Sequence, residues 1–321
     1  MAPQLMWMGL GNIGRGCCQS LVERGSLEKP LLLYNRTASR AEELAAKLGP
    51  DKIAVLASIL DGVAQADIIF SCFSNDAVLE DTYRNIIAAT TTTTTLAGKL
   101  FVSCETIRPA TANTLGALLT AHGAAYVACP VVGPPAAAAA GQLLCIPAGP
   151  TAGIDRLQPY LMGVMARAVI PFAGGDDLDQ DQQQTLYGKA LTAKIVANTC
   201  IFTMVTQLSE ALTLAEKTEV GTAAVQQLVD VIFGGPFSIY AARMATGAYW
   251  KTAPLADVNL GVKDVSYALD LGKETGVRLR NSETALEYLK AVVEHSDGKG
   301  DIAGVYGVVR QNSGLKFEND A

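Results

Sequence analysis

The chain has 321 residues, of which 50% are apolar and 17% charged, with a net charge of −6. This balance supports a sizeable core spread over about two domains and excludes a disordered chain. No basic excess exists to meet a phosphate backbone, so nucleic acid is not an expected partner.

The first apolar strand, residues 4–8, turns through Gly9-Leu-Gly11-Asn12-Ile13-Gly14 into a helix. In a strand–turn–helix context Gly9 permits the tight turn, Gly11 admits a pyrophosphate close to the backbone, and Gly14 lets helix and strand pack closely. The helix N-terminus with Asn12 and Ile13 presents backbone N–H groups and a positive dipole end to the phosphates. A second apolar run, residues 30–34, ends at Asn35-Arg36-Thr37. NAD sites usually carry an acidic residue at this point for the ribose 2′-hydroxyl, whereas Asn35 and Arg36 suit a 2′-phosphate. The expected cofactor is NADP(H).

Short apolar runs continue at residues 53–55, 67–73, 100–104, 125–129, 143–147 and 168–172, separated by helix-like stretches such as 40–48, 77–87 and 110–121. Alternating β and α units predict an α/β fold, a Rossmann-type doubly wound sheet that is mainly parallel, with ligand outside the strands' C-terminal ends. Six threonines at 90–95 read as a loop, and five alanines at 136–140 as a helix entered through proline. The polar, acidic stretch 174–184 reads as a linker, giving a dinucleotide-binding domain over 1–185. Residues 186–217 then form one long interdomain helix, and the remainder to 321 an all-α C-terminal domain.

Seven scattered cysteines, with Cys17 and Cys18 adjacent and no CxxC pair, suit reduced thiols in a cytoplasmic protein and no zinc site. Two histidines leave little material for Ser-His-Asp chemistry or a metal centre, and His122 reads as a helix-end residue. Apolar runs stop at Gly, Pro or charge before ~18 residues, so no membrane span is expected. The N-terminus also lacks a basic region before an apolar core.

Within the long helix Lys194 is the only charge between Ala190 and Ser209, and no carboxylate stands three or four positions away. Such a lysine either snorkels its stem toward water or has its ammonium form disfavoured and serves proton transfer. A dinucleotide site upstream favours the second role, because carbonyl reduction needs a proton donor. Asn198, one turn on, lies on the same helix face.

These motifs together resemble the β-hydroxyacid dehydrogenase family of the 6-phosphogluconate dehydrogenase superfamily. That family includes 3-hydroxyisobutyrate dehydrogenases, glyoxylate and succinic-semialdehyde reductases, and tartronate semialdehyde reductases. The GLGNIG turn with NRT comes first. Phe70-Ser-Cys72-Phe73-Ser-Asn-Asp76 looks like the family's loop under the nicotinamide half of the cofactor. Glu105-Thr106-Ile-Arg-Pro109 stands where the family has Ser-Thr-x-x-Pro, and Cys129-Pro-Val-Val132-Gly133 where it has Ala-Pro-Val-Ser-Gly-Gly. Gly188 through Lys194 to Asn198 follows Gly-x-Gly-x-x-x-Lys-x-x-x-Asn, with Ala190 for the second glycine, and Lys263-Asp264 matches a C-terminal Lys-Asp pair.

The resemblance implies an NADP(H)-dependent oxidoreductase acting on a small carbonyl or β-hydroxyacid-type substrate, with Lys194 as general acid and base. It places Thr106 and Lys263 at the cofactor beside Cys72 and Phe73. Glu105, Val132, Gly133, Asn198 and Asp264 fall at the substrate, and a homodimer or homotetramer is implied. Glu105 and Val132 replace family serines, Pro134 a glycine, and Ala256 a common aromatic. A carboxylate and an apolar group near the substrate disfavour an acidic one, so a bulkier or less acidic carbonyl is expected. Imine reductases share the architecture but generally carry another residue at the lysine position. A non-catalytic NADP(H)-binding protein is the remaining alternative.

Overall fold

The computed structural model describes residues 2–89, 95–175 and 180–320. Most of the threonine tract, residues 90–94, and the middle of the acidic stretch, residues 176–179, lie outside the described residues. The chain divides into two units, residues 1–194 and 195–321. The division thus falls inside the long helix, beyond the boundary expected at 185/186.

The first unit carries strands β1 (Leu5–Met8), β2 (Leu31–Tyr34), β3 (Ile53–Val55), β4 (Ile68–Ser71), β5 (Leu100–Ser103), β6 (Ala125–Ala128), β7 (Val131–Val132), β8 (Leu143–Cys145), β9 (Ala148–Pro150), β10 (Ala166–Val169) and β11 (Phe172–Gly174). Its helices are α1 (Asn12–Arg24), α2 (Ala38–Leu48), α3 (Ile59–Gln65), α4 (Asp76–Ala88), α5 (Pro109–Ala121), α6 (Pro135–Ala139) and α7 (Thr151–Leu161). Helix α8 (Gln180–Lys217) runs on into the second unit.

The main sheet has the order β11-β9-β6-β5-β4-β1-β2-β3, parallel from β3 through β6, with β9 antiparallel to β6. Consecutive residues of β1 bury on opposite faces: Leu5 and Trp7 join one core, Met6 and Met8 the other. A parallel sheet covered on both faces requires such continuous apolar strands. Chain order reverses between β1 and β4, which opens a crevice at their C-terminal ends. A second sheet, β10-β8-β7, holds the 131–132 segment as an edge strand antiparallel to β8.

The thiols Cys17, Cys18, Cys104, Cys129 and Cys145 lie in the first of these cores, and Cys72 packs against it. Cys72, Cys104 and Cys129 follow neighbouring strands at one level: their N–H groups donate to Met8, Ser71 and Ser103 carbonyls at 2.9, 2.8 and 2.7 Å. His122 ends α5, its Nδ1 2.9 Å from the Leu118 carbonyl.

The second unit is helical: the rest of α8, then α9 (Thr222–Ile232), α10 (Gly235–Ala245), α11 (Ala248–Lys251), α12 (Val258–Thr275), α13 (Arg280–His295) and α14 (Val305–Asn312). Its core gathers Phe202, Val205, Leu208 and Leu212 of α8 with Val292, Tyr306 and Phe317. Buried Asp301 accepts from Arg243 Nε at 2.6 Å, Leu255 N at 2.6 Å and Ala303 N at 2.9 Å. Glu216 accepts from the Tyr306 hydroxyl and the Arg310 guanidinium.

By length and composition the span Thr185–Lys217 could cross a membrane. Several of its side chains serve the cores, with Tyr187, Ala190 and Leu191 in that of the first unit and Leu208 and Leu212 in that of the second, while Val196 and Leu214 are exposed.

Candidate active site

The turn after β1 is built so that only glycine fits at two of its three fingerprint positions. Gly9 has φ +92°, and a Cβ there would lie 2.5 Å from the Cys72 carbonyl oxygen. A Cβ on Gly14 would overlap the Gly9 carbonyl oxygen and sit 3.0 Å from Trp7 Nε1, which donates to that same oxygen at 3.0 Å. Gly11 differs, because no described atom lies within 4 Å of a Cβ built on it. The space in front of Gly11 is open, and α1 begins there with no side-chain cap and no acidic residue in its first turn. Exposed Asn12 accepts from Arg15 Nη2 at 2.7 Å, which brings a cation to that first turn. Ile13 is half-buried.

Asn35 ties the end of β2 to this turn. Its Oδ1 accepts from Leu10 N at 2.9 Å and its Nδ2 donates to the Thr37 carbonyl at 2.9 Å. Arg36 and Thr37 are exposed, and α2 starts after Thr37 with no acidic residue in its first turn. Arg40, one turn beyond Arg36, is also exposed, and its N–H donates to the Thr37 carbonyl at 3.2 Å. The sequence reading passed over Arg15 and Arg40. Their signal was their spacing, each in the first turn of a helix whose N-terminus faces the crevice end of a strand. Open space at Gly11, helix starts without a side-chain cap and exposed arginines beside them fit the phosphates of a dinucleotide.

On the other lip of the crevice, Cys72 and Phe73 are half-buried and follow β4. Glu105, expected at the substrate, is 3% exposed and turned inward. Its Oε1 accepts from Ser71 Oγ at 3.0 Å and its Oε2 from Phe73 N at 3.2 Å. Ser71 Oγ also lies 3.0 Å from the Tyr83 hydroxyl. Burial, then the Glu105 charge, push the Tyr83 phenol well above its ordinary range. Thr106 is half-buried beside Glu105.

Val132 is half-buried and pairs with Leu144. Gly133 is exposed at φ +145°, where a Cβ would come 2.8 Å from Leu143 Cδ2. Val132 belongs to the second sheet and Gly133 to the bend that follows its strand, apart from the strands that bear the glycine turn.

Lys194 is 8% exposed on α8, and its helical neighbours Ala190, Leu191 and Ile195 are fully buried. In the second unit Asn198, also 8% exposed, donates from Nδ2 to Asp264 Oδ2 at 2.8 Å. Lys263 Nζ stands 3.5 Å from Asp264 Oδ1 and 5.5 Å from the centre of the Tyr267 ring. The fold therefore joins Asn198, Lys263 and Asp264 in one cluster, with Lys194 one turn before Asn198. Among the described residues no group of His, Cys, Asp and Glu is arranged to hold a metal ion.

Residues 4–174 match the family model for the NAD-binding domain of 6-phosphogluconate dehydrogenase. Residues 188–309 match the model described as NAD-binding of NADP-dependent 3-hydroxyisobutyrate dehydrogenase. An NADH-dependent oxidoreductase of Aspergillus ustus is 30% identical over 306 residues, covering 95% of this chain and 98% of that protein. The solved 3-hydroxyisobutyrate dehydrogenase of Mycobacterium tuberculosis with L-serine is 22% identical, with TM-score 0.78 over 97% of this chain and 100% of that one. A Streptomyces aurantiacus imine reductase is 18% identical, with TM-score 0.60 over 95% and 99%. At these identities the two solved structures speak for the fold alone.

Proposed function

The chain belongs to the β-hydroxyacid dehydrogenase family, and on that footing we propose that it is an NADP(H)-linked dehydrogenase or reductase of carbonyl and hydroxyl substrates. The chain is an oxidoreductase by its relatives; the cofactor form, the lysine's role and the substrate class are our reading. The observation that carries it is a nearly buried lysine, Lys194, one helical turn from Asn198 in a chain that also holds the open glycine turn.

When bound, the dinucleotide supplies or accepts the hydride. Gly11 and the start of α1 receive its pyrophosphate, and Arg36 with Arg40 meets the 2′-phosphate. Lys194 gives a proton to the substrate oxygen in reduction and takes it back in oxidation. Asp264 holds the amide nitrogen of Asn198, so Asn198 Oδ1 is the acceptor end for a protonated partner.

The name of the Aspergillus ustus relative carries NADH dependence. The NADP(H) reading for this chain rests on its own residues, since the end of β2 has Asn35 and Arg36 in place of a carboxylate. The substrate reading rests on fewer residues than the sequence suggested. With Glu105 engaged by Ser71 and Phe73, like-charge repulsion no longer argues against an acidic substrate. Val132 in place of a hydroxyl still favours an uncharged or bulky carbonyl. A second copy of the chain as partner is supported by α9 and its end, where Leu228, Val231, Ile232 and Phe233 are 57%, 87%, 63% and 61% exposed.

The test is a panel of aldehydes, ketones, 2- and 3-oxoacids and imines, followed by loss of reduced-nicotinamide absorbance with NADPH and with NADH. The proposal expects carbonyl reduction with NADPH preferred. Reduction of imines alone would contradict it. High efficiency on glyoxylate or succinic semialdehyde with neutral carbonyls ignored would remove the substrate part.

A further inference from the structure

The crevice lies between the turn after β1 and the loop after β4. The two lips touch, for a Cβ on Gly9 would meet the Cys72 carbonyl oxygen at 2.5 Å and Phe73 Cδ1 at 3.1 Å. The β2 side of the switch point carries Asn35, Arg36 and Thr37, which suits the adenosine half of a dinucleotide. The β4 lip, Cys72–Phe73, therefore faces the other half. That lip lies outside helix and strand, and Cys72 N donates to the Met8 carbonyl at 2.9 Å. Its next N–H, that of Phe73, is bound to a buried carboxylate supplied by the following strand's end, Glu105.

We propose that Glu105 is a positioning residue that fixes the nicotinamide-side lip of the crevice, and that it does not contact substrate. One oxygen accepts from Ser71 Oγ, at the last residue of β4, and the other from Phe73 N, two residues later. The carboxylate thus spans the bend at Cys72 and sets where the Phe73 ring and the Cys72 carbonyl stand against Gly9. Ser71 is itself held by the Tyr83 hydroxyl of α4 at 3.0 Å, so the bend is anchored to both a neighbouring strand and a helix. A serine at position 105 is too short to reach both partners. This chain places its charge where a hydrogen-bonded brace is needed, and the departure from the family pattern becomes a local solution for holding one loop.

The inference rests on the hydride-transfer reading, and ligand binding separates the two. Titrations would compare the dinucleotide that the wild-type protein prefers with ADP-ribose or its 2′-phosphate, which lack the nicotinamide. For Glu105→Ala the expected result is a loss of about tenfold in dinucleotide affinity, the scale of one charge-assisted hydrogen bond, with ADP-ribose binding held within about twofold. Glu105→Gln should recover most of the lost affinity, because its amide can accept from Phe73 N while donating to Ser71 Oγ. Should Glu105→Ala fail to fold, Glu105→Asp, shorter by one methylene, should show the same selective loss. Equal weakening of both ligands, or unchanged dinucleotide binding, would overturn the proposal. A wild-type protein that binds no dinucleotide would instead overturn the proposed function beneath it.

Discussion

Gly11→Ala separates folding from binding at a single carbon atom. Gly11 has φ −69° and ψ −175°, a conformation open to any residue, and no described atom lies within 4 Å of the added Cβ. Alanine restricts the unfolded chain, worth about 0.4–1 kcal/mol in favour of the fold. Against this, alanine is a poorer N-cap than glycine by a similar amount. The two offset, so the melting temperature should move by no more than about 3 °C. The same methyl occupies the space that a pyrophosphate needs in order to reach the start of α1. Losing one charge-assisted hydrogen bond there costs about 1.5–3 kcal/mol, or roughly ten- to hundredfold in affinity. Fluorescence titration with NADPH and a thermal melt on the same sample read both quantities. Gly14→Ala is the contrast, because its Cβ would overlap the Gly9 carbonyl oxygen. Overpacking of about 1–3 kcal/mol should then lower stability and binding together. Wild-type affinity in Gly11→Ala would refute the placement of the dinucleotide at this turn.

Arg36→Asp should lower the NADPH-over-NADH ratio of kcat/KM by about tenfold or more, through loss of a cation and like-charge repulsion of the phosphate; an unchanged ratio would remove Arg36 from the cofactor. Cys17, Cys18, Cys104 and Cys129 are buried, and burial lifts the first three well above the ordinary thiol value of 9.0. For Cys129 a hydrogen bond with Cys145 raises it first and burial second. Exposed Cys200 should react first with a thiol reagent at neutral pH and half-buried Cys72 more slowly, while buried Cys17, Cys18, Cys104, Cys129 and Cys145 appear on denaturation. Because these thiols are raised in the fold, they favour it below pH 9.0 and that contribution is lost as pH climbs past it, so the melting temperature should fall in alkaline buffer. Asp301→Ala strands the Arg243 guanidinium and two backbone N–H groups. It should destabilise the second unit by about 3–5 kcal/mol in chemical denaturation, and a loss below ~1 kcal/mol would contradict a buried pair of that importance.

The glycine turn and the strands around it were legible because their demands are local. Gly9 and Gly14 are dictated by backbone approach within a few residues, and the apolar runs by burial on both faces. Strand β7 was not legible: two valines beside Pro130 and Gly133 carry no periodicity, and only pairing with β8 makes them a strand. The start of α8 at Gln180 was read as linker because its residues are polar, although glutamine is a good helix former. Helix α3 had a marker that went unused, Ser58 at its N-cap with Asp61 in the first turn, while Pro159 inside α7 argues locally against that helix. Glu105 was legible as a departure from pattern, but its hydrogen bonds to Ser71 and Phe73 were not. Whether a carboxylate faces ligand or core depends on Ser71 and Phe73, which only folding brings to it. The Asn198–Asp264 hydrogen bond joins residues 66 apart in the chain, a pairing that no spacing rule could reveal.

The account turns on Lys194 as the proton carrier of a hydride-transfer enzyme. Lys194→Met keeps the length and apolar stem of the side chain and removes only its charge and protons. Steady-state reduction of the best carbonyl in the panel should then fall in kcat by about 10²–10⁴, while the dissociation constant for NADPH stays within about threefold. Turnover equal to wild type, at unchanged cofactor affinity, would contradict the account.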